Sequence, residues 1–288
     1  MQELILTRSE LETIVSTLAL EMSNRGPAAR PASLPSRDLE VCDSETCPRR
    51  ASPATVEPGS IHLTPELRRL ARLMDHTLLK PDATREQVER LAQEALQFSF
   101  AAACVNPYWT PLVAERLRGS SVLVASVVGF PFGATFTCAK RAEAEAAIVV
   151  GAQEIDMVMN VGAMRSGDLI CAQADIRGVV EVCHAMGARV KVILENAYLT
   201  DEQKITACRL AEHAGADYVK TSTGFGPSGA KVADVRLMRK AVSAKTGVKA
   251  AGGIRSLPDA LAMLQAGATR LGTSASVAIL AEAAQWLD

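Results

Sequence analysis

Lys220 and Lys249 are the residues from which chemistry is most directly argued. Each interrupts a short apolar run, Tyr218-Val219-Lys220-Thr221 and Val248-Lys249-Ala250-Ala251-Gly252-Gly253. An unperturbed lysine has a pKa of ~10.4, so only about 1 in 2,500 is a free amine at pH 7. Burial and a cationic neighbour both disfavour the ammonium form. Lowering the pKa to ~7.5 raises the free-amine share to roughly a quarter, a shift worth ~4 kcal/mol. Such an amine attacks carbonyls and forms an imine. A carboxylate beside it moves protons on and off the substrate oxygen, and Asp156 is placed for that. Ile155, Met157 and Met159 alternate with Glu154, Asp156 and Asn160, so the apolar side suits a helix layer and Asp156 faces the other way. Asp75 stands similarly within Met74-Asp75-His76-Thr77-Leu78.

A second group of residues suits phosphate. Gly252-Gly253-Ile254-Arg255 and Gly272-Thr273-Ser274-Ala275-Ser276 each follow a strand-like run. Glycines let a backbone approach an anion closely, and amides at a helix N-terminus bind it. Ser274 adds a hydroxyl, and Thr221-Ser222-Thr223-Gly224-Phe225 supplies a third side of the same pocket.

These residues need elements that bring them together. Strand-like runs occur at 74–78, 100–105, 122–128, 154–160, 190–195, 217–221, 248–252 and 270–273. Helix signals fill the gaps between them. Thr64-Pro65 predicts an N-cap with proline at the first helical position, and Thr84-Arg85-Glu86-Gln87 and Thr200-Asp201-Glu202-Gln203 are capping boxes. The helix after Thr200 is expected to end at Gly215. Strict alternation of strand and helix implies a parallel sheet. Eight repeats favour an α/β fold of the closed (β/α)8, or TIM barrel, kind over an open doubly wound sheet. The absence of GxGxxG after the first strand further weakens the dinucleotide-binding alternative. Barrel active sites lie at the C-terminal strand ends, where both lysines and Asp156 fall.

Composition narrows the partners. The 288 residues carry 31 basic and 32 acidic side chains, so no basic excess points to nucleic acid or an anionic membrane. No apolar run is long enough to span a bilayer, and no secretory leader pattern opens the chain, so the cytosol is the expected compartment. Seven cysteines at irregular spacing argue against a disulfide framework, and Cys42 and Cys47 lack a second pair of zinc ligands. Residues 1–60 form an extension distinct from the barrel at 61–288, with six of the thirteen prolines lying between Pro27 and Pro58. That stretch is expected to be a disordered linker. Ahead of it, a capping box at Ser9 precedes Leu11, Ile14, Val15, Leu18 and Met22 at helical spacing, which predicts a short amphipathic helix.

Taken together, the motifs resemble the deoxyribose-phosphate aldolase family. The matching segments run from Asp75-His76-Thr77-Leu78-Leu79-Lys80 through Cys104-Val105-Asn106-Pro107, Val128-Gly129-Phe130-Pro131 and Glu154–Asn160. They continue with Val219-Lys220-Thr221-Ser222-Thr223-Gly224-Phe225, Val248–Gly253 and Gly272-Thr273-Ser274, in collinear order from residue 64 to about 280. The resemblance implies a (β/α)8 barrel without metal or organic cofactor, acting on a small phosphorylated sugar as a monomer or homodimer. It makes Lys220 the imine-forming lysine, Lys249 the second lysine that lowers its pKa, and Asp156 the acid/base carboxylate. Asp75, Thr77, Cys104, Phe130, Thr223 and Gly224 would line the substrate pocket, with Gly252, Gly253, Gly272 and Ser274 on the phosphate. The implied reaction is reversible cleavage of 2-deoxy-D-ribose 5-phosphate into glyceraldehyde 3-phosphate and acetaldehyde. The alternative is a Schiff-base aldolase for another phosphorylated or keto-acid substrate, which comparing acetaldehyde with pyruvate as donor would separate. A catalytically silent sugar-phosphate binder is disfavoured by Lys220, Lys249 and Asp156 occurring together. Three positions depart from the family pattern. Phe225 stands where some members have a lysine, Ala275 stands where a second serine is common, and no tyrosine occurs in the closing Trp286-Leu287-Asp288.

Overall fold

The computed structural model describes residues 61 and 63–287; the expected N-terminal helix, the proline-rich stretch, Cys42 and Cys47 lie outside these. Eight parallel strands close into a barrel in sequence order: β1 Met74–Leu78, β2 Ala102–Val105, β3 Leu123–Val128, β4 Glu154–Val158, β5 Arg189–Ile193, β6 Tyr218–Lys220, β7 Gly247–Ala251 and β8 Arg270–Thr273. The ring is sealed where Asp75 of β1 pairs with Gly272 of β8. The expected barrel is therefore the observed one. Strand limits shift by one or two residues at most places, and β4 stops before Met159 because Asn160 leaves the ladder. Its side chain instead accepts from the Ala163 amide and caps a short helix, Val161–Arg165.

Local chemistry starts the helices where the caps stand. Thr64 Oγ1 accepts from the Leu67 amide at the head of α1, Pro65–Ala71. Thr84 and Thr200 form reciprocal boxes with Gln87 and Gln203 at the heads of α2, Arg85–Phe98, and of the helix Asp201–His213. Caps of this kind are worth about 1 kcal/mol each. Gly215 lies just past the second of these helices with φ of 94°, a conformation that favours glycine after a helix end.

The strands pack asymmetrically. Their outward residues, among them Ile155, Met157, Val190, Val192, Val219, Val248 and Leu271, join the helix faces in one large apolar core. Inside the barrel only a small apolar cluster exists, made by Leu79, Ala102, Cys104, Ala125 and Val127 with Phe130 against it. That cluster belongs to the β2–β3 side. The opposite half of the interior is ionic, and the site is built there.

The end of β4 is anchored from outside by a buried pair. Lys140, on the helix Thr137–Val149, donates to Val158 O at 2.9 Å and to Asp175 Oδ2 at 2.6 Å, with both side chains almost wholly buried. Among the described residues, no helix is long and apolar enough to cross a membrane.

Candidate active site

Parallel pairing sets the lysines side by side. Lys220 of β6 is the register partner of Lys249 of β7, and Asp156 of β4 is that of Lys191 of β5. Alternation turns all four side chains into the barrel. Lys220 Nζ and Lys249 Nζ both donate to Asp156 Oδ2, each at 2.7 Å. Lys249 also donates to Asp75 Oδ2 at 2.5 Å. Lys191 donates to Asp156 Oδ1 at 2.9 Å and to Glu154 Oε2 at 2.5 Å, and lies 3.4 Å from Asp75 Oδ2. Arg270 of β8 donates to Asp75 Oδ1 at 2.7 Å and lies 3.5 Å from Glu154 Oε1. Arg189 reaches Glu154 Oε1 at 2.8 Å from the N-terminal mouth, with its side chain 27% exposed.

Burial and pairing sort these groups by charge. Burial pushes the Asp156 carboxyl up, but Lys191, Lys220 and Lys249 together outweigh it and hold the group well below the usual range. Asp75 is likewise lowered, as Lys191, Lys249 and Arg270 overcome its burial. Burial lowers Lys191 and Lys249 too, yet Asp156 and Asp75 outweigh it and both ammonium groups are held above the ordinary lysine value. Lys220 goes the other way. Burial lowers it most, Asp156 opposes, and Lys249 lowers it further. Its single carboxylate partner, shared with Lys249, does not compensate for lost hydration. The expectation that two adjacent ammonium groups compete is therefore refined: desolvation is the larger cause, and the second lysine adds to it.

The remaining expected residues fall in three places. Cys104 faces inward from β2, fully buried, its thiol pushed up to about 11 chiefly by burial. Thr77 is half-buried, and its hydroxyl donates to Asp75 O at 2.8 Å. Phe130 lies edge-on to Phe225, with ring centroids 5.4 Å apart. On the rim, Gly252 and Gly253 both take positive φ, 87° and 81°, and open space lies where a Gly253 side chain would stand. The loop after β6 folds onto this turn, with the Ala230 amide donating to Gly252 O at 2.9 Å. Thr273 Oγ1 donates to Ile254 O, which brings exposed Ser274, just ahead of the helix Ser276–Leu287, beside the same turn.

Gly272 lies in β8, as expected. A Cβ there would meet Lys249 Cε at 2.9 Å and Ala251 Cβ at 3.0 Å, so its bare backbone makes room for the Lys249 side chain. Thr223 Oγ1 donates in a short hydrogen bond to Glu195 Oε2 and accepts from the Phe225 amide at 3.0 Å.

Sequence reasoning missed Lys191, Arg270 and Glu195. Lys191 alternates with valines in Val190-Lys191-Val192, the signal that marked Asp156, and Arg270 opens its strand in the same phase. Glu195 had no such mark. It takes left-handed backbone angles of 52° and 64°, is almost fully buried, and leaves Oε1 without a partner. It lines a rim cleft of about 250 Å³ together with Pro131, Phe132, Arg165, Tyr198, Thr223 and Phe225. Of the expected site residues Thr223 lines this cleft, while Lys220, Lys249 and Asp156 do not.

The closed barrel thus brings an inward lysine of lowered basicity, a second buried lysine and a shared carboxylate to one point. Residues 69–281 match the model of the DeoC/LacD family of aldolases. The deoxyribose-phosphate aldolase of Aciduliprofundum boonei is 58% identical over 215 residues, 75% of this chain and 97% of the relative. That of Thermococcus gammatolerans is 56% identical over 213 residues, 73% of this chain and 95% of the relative. The tetrameric deoxyribose phosphate aldolase structure from Aeropyrum pernix superposes with a TM-score of 0.70 at 35% identity, covering 74% of this chain and 90% of that one. The chain belongs to the DeoC/LacD aldolase family, and its enzyme class is that of the carbon–carbon lyases.

Proposed function

We propose that the protein reversibly cleaves 2-deoxy-D-ribose 5-phosphate to glyceraldehyde 3-phosphate and acetaldehyde in the cytosol, through an imine on Lys220. The observation that carries this is the contrast between the two lysines on one Asp156 oxygen: Lys220 lowered, Lys249 raised. The Lys220 amine adds to the C1 aldehyde, and loss of water leaves an iminium. A base acting through water takes the C3 hydroxyl proton and the C2–C3 bond breaks. Its electron pair moves into the iminium to give an enamine, and glyceraldehyde 3-phosphate departs. Protonation at C2 and addition of water then release acetaldehyde and restore the amine. At rest Lys249 is an ammonium and Asp156 a carboxylate; Lys249 gives a proton to the adduct and regains one from water, while Asp156 holds it in place. Three buried, unpaired cysteines among the described residues, Cys104, Cys183 and Cys208, suit a reducing compartment.

Borohydride added during turnover with acetaldehyde should fix a two-carbon adduct on Lys220, located by peptide mass mapping. Turnover with that lysine unmodified would overturn the mechanism. Glyceraldehyde 3-phosphate supplied with acetaldehyde should react, whereas with pyruvate it should not.

The phosphate is assigned to the Gly252–Gly253 turn, Gly224, Ser274 and the N-terminus of the last helix, sites dominated by backbone amides and lacking the lysine some relatives carry at Phe225. A Cβ at Gly229 would stand 2.1 Å from Gly252 O and force that turn to move. Gly229→Ala is expected to raise KM for the phosphorylated substrate by about tenfold, one hydrogen bond's worth of ~1.4 kcal/mol. Steady-state rates on unphosphorylated deoxyribose should stay within about twofold, because that substrate makes no contact there.

A further inference from the structure

The barrel interior holds more ions than the imine chemistry uses. Fully buried charges are costly, and β2 and β3 fill the same interior with Ala102, Cys104, Ala125 and Val127, so apolar packing is available to this fold. On the ionic side, three carboxylates, Asp75, Glu154 and Asp156, meet five cationic side chains, Lys191, Lys220, Lys249, Arg270 and, from the mouth, Arg189. Three of the cations are enough to neutralise the carboxylates. Lys191 touches all three carboxylates. It stands two residues before Ile193, the register partner of Lys220, so it lies one layer deeper than the imine lysine.

Resting on the Lys220 assignment above, we infer that Lys191 is a positioning residue for Lys220: it holds Asp156 Oδ1 and sets a fixed positive charge one layer below, so that Lys220 is where the surplus positive charge of the cluster is relieved by loss of a proton. Every charged group facing the pair enters this balance. Asp156 from β4, Lys249 from β7 and the neutral thiol of Cys104 from β2 face Lys220. Asp75 from β1, Glu154 and Asp156 from β4, and Arg270 from β8 face Lys191. Arg189 bridges the other Glu154 oxygen at 2.8 Å from the N-terminal mouth. Removing Lys191 takes a fixed positive charge from one layer beneath Lys220 and frees Asp156 Oδ1, and Lys220 then keeps its proton to higher pH.

The test is the pH dependence of imine formation, read as the rate of borohydride-trapped acetaldehyde adduct on Lys220 and as kcat/KM. Lys191→Met should move the midpoint to higher pH by at least about one unit, lowering the rate below the midpoint by about tenfold or more while leaving the alkaline plateau near that of the parent. Lys191→Arg, which keeps the charge, should hold the parent midpoint. The double variant Lys191→Met with Glu154→Gln removes one charge of each sign and should bring the midpoint back, and it remains informative if the single variant does not fold. A rate loss with an unmoved midpoint, or a double variant still shifted, overturns the inference. Absence of any Lys220 adduct in the parent enzyme would instead overturn the imine assignment itself.

Discussion

Lys220→Met is expected to abolish turnover, by on the order of 10⁴-fold or more, yet to leave the melting temperature at or above that of the parent. The first half follows from chemistry: methionine has no amine, and Lys249 is held as an ammonium by Asp75 and Asp156, so it cannot take over as nucleophile. The second half follows from linkage. Lys220 is 2% exposed and its folded pKa is lowered. Below ~10.4 the unfolded chain binds a proton at this lysine more readily than the folded one does, so the group opposes folding across the neutral range. Methionine of similar length removes that penalty, and Asp156 Oδ2 keeps its bond to Lys249 at 2.7 Å. Calorimetry at pH 7 alongside the aldol assay checks both halves. An inactive variant that is also several degrees less stable would mean that Lys220 is a structural cation and not a strained nucleophile.

That separation of activity from stability explains which parts of the molecule were legible in the sequence. The barrel was, because alternating elements with capping boxes at Thr84 and Thr200 carry their signal within a few residues. The direction of Asp156 was legible for the same reason, since Ile155, Met157 and Met159 mark the helix-facing side of their own strand. The charge balance was not. Asp75 and Lys249 meet across 174 residues of chain, and Asp75 and Arg270 across 195, so no local window contains the pair. Lys191 carried the right alternation, but nothing nearby in sequence says that it would lie between three carboxylates and not reach toward solvent. The packing at Gly272 was equally hidden, since the space it leaves is filled by a side chain from β7. Glu195 is hidden for a third reason: its left-handed backbone is normally announced by glycine or asparagine, and here it is held by the contact with Thr223.

Asp156→Asn should fail in both respects that Lys220→Met separates. Three ammonium groups converge on this carboxylate, two on Oδ2 and one on Oδ1, with no solvent contact. An amide presents a donor to at least one of them and carries no charge, leaving the buried cations with only Asp75 and Glu154 as carboxylate partners. Breaking a buried pair by removing one member costs about 3–5 kcal/mol, and loss of a proton relay costs about 10²–10⁴ in rate. The stability loss has a pH signature. Asp156 is held below its unfolded pKa of ~3.9, so its contribution is complete above that value and is lost as the pH falls through and below it. Lys191 and Lys249, raised when folded, give stability that is complete below ~10.4 and fades only at higher pH, so they do not alter the acid limb. Urea unfolding from pH 7 to pH 2 should therefore show parent and variant far apart at neutrality and converging in acid. A gap that stays constant over that range would place the cost in packing and not in the carboxylate's charge, and with it would go the argument that Asp156 holds the lysines in two different protonation states.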